Sequence, residues 1–289
     1  MKIVNIIGGL GNQMFEFAMF LALKNKHPEE KIKVCTRSFK GYGLHNGFEL
    51  NRIFNVDFNE ASLIELCMVA YPIFNYRAWQ IQSHYLPKRK SMVIGTMDEI
   101  PNPKDIEREA SAYYDGYWQD ENVFKNIRGE ILKCYTFPPL NDKNNLILSK
   151  TLKSKKSVSI HIRRGDYLKD PVMCVCTTEY YQRAISYIKE KEQVDLFCVF
   201  SDDISWCKEN LKEMVGDIEI EYVDWNIGND SYKDMQLMTY CKHNIIANSS
   251  FSWWGAWLGC REGKIVIAPK IWANKKIVND PICESWIRI

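Results

Sequence analysis

No aspartate in this chain is followed two residues later by another, so D-x-D is missing from all 289 residues. Carboxylates paired in that way usually hold the Mg²⁺ that neutralises a diphosphate. Without them, phosphate charge has to be met by arginine, hydroxyls and helix ends. The ten cysteines contain no C-x-x-C, which leaves out zinc-site spacing. Only Cys174-Val175-Cys176 comes close to a pair, and thiols scattered like this fit a reduced, cytosolic chain better than a disulfide framework. No apolar run approaches the roughly 20 residues of a membrane span. A formal net charge of +2 is far from the basic excess of a nucleic-acid surface. The apolar opening, residues 1–7, is broken by the Gly8–Gln13 stretch and Glu16, with no small-residue cleavage site behind it. The expected location is therefore cytoplasmic, and the two glycosylation sequons, at Asn229 and Asn248, have no secretory context.

The chain does contain ample material for packed cores, with 46% hydrophobic and 13% aromatic residues. At roughly 150 residues per domain, two domains are expected. The start reads as a strand (3–7), a glycine-rich turn, a helical pattern through Met14, Phe17, Ala18, Leu21 and Ala22, and a second strand (31–36). That is a βαβ unit and predicts parallel pairing. Residues 38–138 are less regular and rich in aromatics, with helical stretches at 60–69 and 120–134. Pro138-Pro139 and the basic run from Lys150 to Lys156 suit a domain connection, dividing the chain into 1–150 and 151–289. The second part alternates cleanly: strand 158–162, helix 178–191, strand 196–200, helix 204–214, strand 218–223, strand 244–247, helix 253–258 and strand 264–268. Ser231-Tyr232-Lys233-Asp234 has the spacing of a capping box for a helix that carries Met235 and Met238 on one face. The expectation is a doubly wound α/β domain.

Ligands of open α/β sheets sit at the carboxyl ends of strands. His161-Ile162-Arg163-Arg164-Gly165-Asp166 follows such a strand, and its two planar guanidiniums suit a phosphate or pyrophosphate, although a charged turn would read the same way. Ser201-Asp202-Asp203 either caps the next helix or offers a carboxylate to the paired donor edge of guanine. Asn248-Ser249-Ser250-Phe251-Ser252 either caps a buried helix or presents hydroxyls and amides to phosphate oxygens. Trp253, Trp254 and Trp257 read as core rather than as a sugar platform. Gly8-Gly9-Leu10-Gly11-Asn12-Gln13 nearly matches a dinucleotide fingerprint. However, Met14 replaces the third glycine, and strand two ends in Thr36-Arg37 without a ribose-binding acid. This leaves a turn that favours an anion, or one with no ligand.

Taken together, these segments resemble the α-1,2-fucosyltransferases of glycosyltransferase family 11, in particular the short bacterial members. The resemblance rests on Gly8-Gly9-Leu10-Gly11-Asn12-Gln13-Met14-Phe15, on His161 to Asp166, on Ser201-Asp202-Asp203, and on Asp234-Met235-Gln236-Leu237-Met238 running to Ala247 through Trp257. It implies an α/β protein of GT-B type, two Rossmann-like domains facing a cleft, with the acceptor side in 1–150 and the GDP-sugar side in 151–289. It also implies inverting, metal-independent transfer of L-fucose from GDP-β-L-fucose to the 2-hydroxyl of a terminal β-galactoside. No cofactor and no nucleic-acid partner are expected, and attachment to the inner membrane would be peripheral if the acceptor is lipid-linked.

By the same resemblance Arg163 contacts the β-phosphate, while His161 and an acid of Asp202-Asp203 lie near the guanosine. Ser249, Ser250 and Ser252 bind phosphates, and the glycine-rich turn, with Gly9, Gly11, Asn12 and Gln13, faces the cleft from the first domain. Arg164, Asp166, Asn248 and Phe251 complete the expected substrate-binding set. Asn12 is expected to position rather than to take a proton, with Glu16 and Asp166 as the carboxylate candidates for a base. Two other classes fit the same residues: a transferase using another nucleotide sugar, or a binding protein without turnover.

Overall fold

The computed structural model describes residues 1–95, 110–173, 175–274 and 281–289. Cys174 of the near-pair lies outside them. Two compact units emerge, one of residues 1–136 with 277–281, the other of 137–276 with 282–289.

The first unit carries a four-stranded parallel sheet in the order β2-β1-β4-β3, with β1 Lys2–Asn5, β2 Ile32–Cys35, β3 Met92–Ile94 and β4 Ala112–Asp115. Strands β1 and β4 are buried along their whole length, as expected for parallel strands covered on both faces. The opening βαβ unit is present: helix Leu10–Lys26 joins β1 to β2, which pair from Lys2↔Ile32 to Asn5↔Cys35. On one face, Ile3, Cys35 and Tyr113 pack against Leu66 and Val69 of helix Leu63–Val69. That helix starts with a capping box, because Ser62 accepts the Glu65 N–H while the Glu65 carboxylate accepts the Ser62 N–H.

The second unit carries six parallel strands in the order β10-β9-β8-β5-β6-β7: β5 Ser157–Ile162, β6 Leu196–Ser201, β7 Glu219–Val223, β8 His243–Ile245, β9 Val266–Ala268 and β10 Ile287–Arg288. Side chains alternate across β6. Phe197 and Val199 join one core with Tyr181, Ile185 and Leu211 from helices Thr178–Lys191 and Ile204–Val215. Leu196, Cys198 and Phe200 join another with Leu148, Leu152, Leu237 and Met238 from helices Lys143–Ser154 and Tyr232–Tyr240. Each unit is thus an α/β sheet with parallel strands, in keeping with the expected fold class.

Two expectations change. The division falls between Thr136 and Phe137 rather than after residue 150, because helix Lys143–Ser154 supplies Leu148 and Leu152 to the second core. The capping box at Ser231 does not form: a 3₁₀ turn, Gly228–Asp230, leads into a Ser231 that is already helical (φ −57°, ψ −26°), with no cap bond from its side chain.

Candidate functional site

The strand order of the second unit makes β5 the origin of two windings, toward β6 and β7 on one side and toward β8, β9 and β10 on the other. The switch point lies between the carboxyl ends of β5 and β8, where such sheets bind ligands. Three of the sequence motifs gather there. Arg163 Nε lies 2.8 Å from Asp166 Oδ1, and its Nη1 lies 3.2 Å from Asp202 Oδ2. Its remaining nitrogen, Nη2, has no partner among the described residues. Burial disfavours the guanidinium charge, but Asp166 and Asp202 more than offset it and hold the pKa above its ordinary value. The Tyr167 ring lies 5.6 Å from the guanidinium carbon, and its hydroxyl donates to the Asn248 carbonyl at 3.1 Å, tying the turn after β5 to the loop after β8.

Arg164 has a different role. Its backbone N–H donates to Asp202 Oδ1 at 2.9 Å, its Nε to Asp203 Oδ2 at 3.1 Å, and its guanidinium sits 4.4 Å above the Trp206 ring. Asp203 Oδ1 meanwhile caps helix Ile204–Val215 through the Trp206 N–H. Both acids are therefore engaged inside the turn, so neither is presented as an open carboxylate for a base edge. Gly165 allows this closeness: a Cβ there would stand 2.9 Å from Asp202 Oδ2.

His161 lies on the sheet face opposite Val158, Ile160 and Ile162, its ring 5.9 Å from that of Phe251. Burial, reinforced by the nearby Arg163 charge, pushes its pKa down to about 3, so the imidazole is neutral, and its buried Nδ1 has no partner among the described residues. Beside it begins helix Ser250–Leu258. Ser249 occupies the N-cap position without bonding the first turn through its side chain, so the leading amides remain open to an anion. The polar side chains of this segment divide. Asn248 is turned inward, its Nδ2 donating to the Trp272 carbonyl at 2.7 Å and its Oδ1 accepting from the Cys176 thiol at 3.4 Å. Ser252, fully buried, donates to the carbonyls of Ala247 and Ser249. The Ser249 hydroxyl lies against Tyr167. Ser250 and the amides are what the helix end offers a phosphate. Trp253, Trp254 and Trp257 are core, as their sequence reading proposes.

Asp234, which the sequence placed in a capping box, instead accepts from Asn226 Nδ2 at 2.8 Å. Burial pushes its carboxyl up to about 7, with the Asn226 bond opposing. Asn226 also exchanges hydrogen bonds with Asn145, which accepts from Trp225 as well. Nothing in the spacing of these four residues marks the network, because strand order assembles it.

In the first unit the glycine-rich turn follows β1. Gly8 takes φ +90°, open to glycine and strained for other residues. Gly9 is extended at the helix N-cap, and Gly11 is buried inside the helix. Asn12 Oδ1 accepts from Gln119 Nε2 at 2.8 Å. Gln13 does not face a ligand: its buried amide donates to the carbonyls of Gly8 (2.8 Å) and Gly47 (2.7 Å) and accepts from the Glu49 N–H (2.8 Å). Glu16 is also internal, accepting the Ile7 N–H at 2.9 Å, and burial raises its pKa well above the carboxylate range. A neutral, buried acid is no general base. Asp166, the other candidate, is the ion-pair partner of Arg163.

The family model described as Glycosyl transferase family 11 matches residues 97–289. The chain is 35% identical to an alpha-1,2-colitosyltransferase of Escherichia coli, over 99% of this chain and 98% of that one. It is 30% identical to the O-antigen biosynthesis glycosyltransferase WbnK of Escherichia coli, over 98% of both. Galactoside alpha-(1,2)-fucosyltransferase 2 of Hylobates lar is 24% identical over 88% of this chain and 68% of its own length. Among solved structures, the fucosyltransferase NodZ from Bradyrhizobium aligns at a TM-score of 0.47 and 14% identity, covering 88% of this chain and 90% of that one.

Proposed function

The chain belongs to glycosyl transferase family 11, and on that premise we propose that it transfers L-fucose from GDP-β-L-fucose to the 2-hydroxyl of a terminal β-galactoside. The observation that carries the donor half is Arg163. Its guanidinium is fixed by two carboxylates at a switch point, with Nη2 unpaired among the described residues, and is linked through Tyr167 to the loop before an uncapped helix N-terminus. A diphosphate matches that combination in both charge and geometry.

In the proposed reaction the galactose 2-hydroxyl oxygen attacks fucose C1 from the face opposite GDP. The bond from C1 to the β-phosphate oxygen breaks and its electron pair stays on the phosphate, so the anomeric centre inverts. Charge grows on that oxygen as the bond lengthens, and a guanidinium already held in place stabilises the change without reorganising. Neutral His161 adds a polar edge without a second positive charge. With Glu16 buried and Asp166 paired, the acceptor proton leaves to water or to a phosphate oxygen, and Asn12 serves to position. The metal-free reading rests on the missing D-x-D and on Arg163 as the charge partner.

The 35% identity to a colitosyltransferase favours a second reading, in which the transferred sugar is colitose on the same scaffold. The test offers GDP-fucose, GDP-colitose, GDP-mannose and UDP-sugars with lactose, with and without chelator, and measures nucleotide release. Highest turnover with GDP-fucose, unchanged in chelator, is expected. Preference for GDP-colitose selects the second reading. GDP binding with no turnover of any donor contradicts both.

A further inference from the structure

The first sheet has its own switch point, between the carboxyl ends of β1 and β4. Three side chains stand against Gly8-Gly9 there, and three more extend the group. A Cβ on Gly8 would lie 3.1 Å from Asn12 Nδ2 and 3.4 Å from Tyr117 Cε1, and one on Gly9 would lie 3.3 Å from the His45 ring. The His45 ring is 6.2 Å from that of Tyr42, which meets Tyr76 edge-on at 5.0 Å. Gln119 completes the circle through its bond to Asn12.

None of these residues is buried. The hydroxyls of Tyr42, Tyr76 and Tyr117, the Nδ2 of Asn12 and the Oε1 of Gln119 make no hydrogen bond to any described residue. Tyr117 is 37% exposed and Tyr42 and Tyr76 are partly exposed, with one face of Tyr76 stacked on Trp79 at 5.6 Å. His45 holds a left-handed backbone, φ +55°, uncommon for a non-glycine residue. The cup thus combines aromatic faces with five unpartnered polar atoms, and Asn12, Gln119 and the three tyrosines carry no fixed charge. A pyranose ring presents the complement, C–H faces ringed by hydroxyls. An anionic ligand would find no cation among these five residues.

We propose that the cup of Tyr42, His45, Tyr76, Tyr117, Asn12 and Gln119 binds the neutral terminal sugar of the acceptor. This rests on the transferase reading and assigns residues to the half of the reaction that the motifs leave blank.

The three tyrosine hydroxyls bond nothing among the described residues, so a purely structural role there predicts no effect from Tyr→Phe changes. The experiment uses the full chain and lactose as the probe. Lactose KM with GDP-fucose should rise about 3–10-fold in Tyr117→Phe and more than about 10-fold in the Tyr42→Phe/Tyr117→Phe double variant, with GDP Kd within about twofold of wild type. Saturation-transfer NMR without nucleotide should show lactose contacts that weaken in the same variants. Unchanged KM and unchanged NMR signal in these variants would overturn the proposal. Should no donor be turned over, the transferase reading fails, but the NMR comparison still decides whether the cup holds a neutral sugar.

Discussion

Asp202 Oδ2 stands 3.2 Å from Arg163 Nη1, while the other oxygen of the same carboxylate accepts the Arg164 backbone N–H at 2.9 Å. One acid from the end of β6 therefore fixes both the backbone and the leading guanidinium of the turn after β5. Asp202→Asn keeps the shape and removes the charge. Transfer kcat/KM should fall about tenfold, with helix Ile204–Val215 intact because its cap is Asp203. Steady-state kinetics together with circular dichroism checks both parts.

Arg163→Ala should lower kcat by about 10²–10³, the usual scale for losing one donor aimed at developing oxyanion charge. Arg163→Lys should recover little. A single ammonium cannot pair with Asp166 and Asp202 through two separate nitrogens and still present a third. Near-normal turnover in either variant removes Arg163 from the chemistry.

Gly165→Ala should behave like a weakened Asp202 variant although it removes no polar group. Its new Cβ would stand 2.9 Å from Asp202 Oδ2, and that oxygen would have to retreat from Arg163. A kcat/KM loss of about tenfold or more is expected, with GDP Kd rising in parallel.

Stability should respond to pH with opposite signs at two residues. His161 is neutral in the fold, its pKa lowered from 6.5 to about 3, so below pH 6.5 the unfolded chain takes up a proton that the fold refuses. Stability is lost as pH falls, by about 2 kcal/mol between pH 6.5 and 5, and His161→Gln should remove that part. Asp234 is raised from 3.8 to about 7, so its stabilisation is complete below pH 3.8 and is lost as pH rises toward 7. Asp234→Asn should therefore be more stable than wild type at pH 8, by about 2–4 kcal/mol, and lose the advantage near pH 4. Urea denaturation at pH 4, 5, 6.5 and 8 measures both.

The second unit was legible in the sequence because its strands and helices have clear periods. The helix expected at 178–191 is Thr178–Lys191, and the strand expected at 196–200 extends by one residue to Ser201. The segments beginning at Arg163, Asp202 and Asn248 also follow the strands expected before them. What spacing could not show is which polar atoms are already used. Gln13 bonds the Gly47 carbonyl, 34 positions away, and Asp203 divides its oxygens between a helix cap and Arg164. The aromatic cup was hidden for the same reason. Tyr42, Tyr76 and Tyr117 are far apart in a stretch without strong periodicity, and Gln119 finds Asn12 only because β4 pairs with β1.

The most direct measurement is incubation with GDP-fucose and lactose, followed by NMR assignment of the product linkage. Fucose joined α-1,2 to galactose is expected, with one GDP released per product and loss of both in Arg163→Ala. A product linked elsewhere, a retained anomeric configuration, or full activity in Arg163→Ala would contradict the proposed reaction.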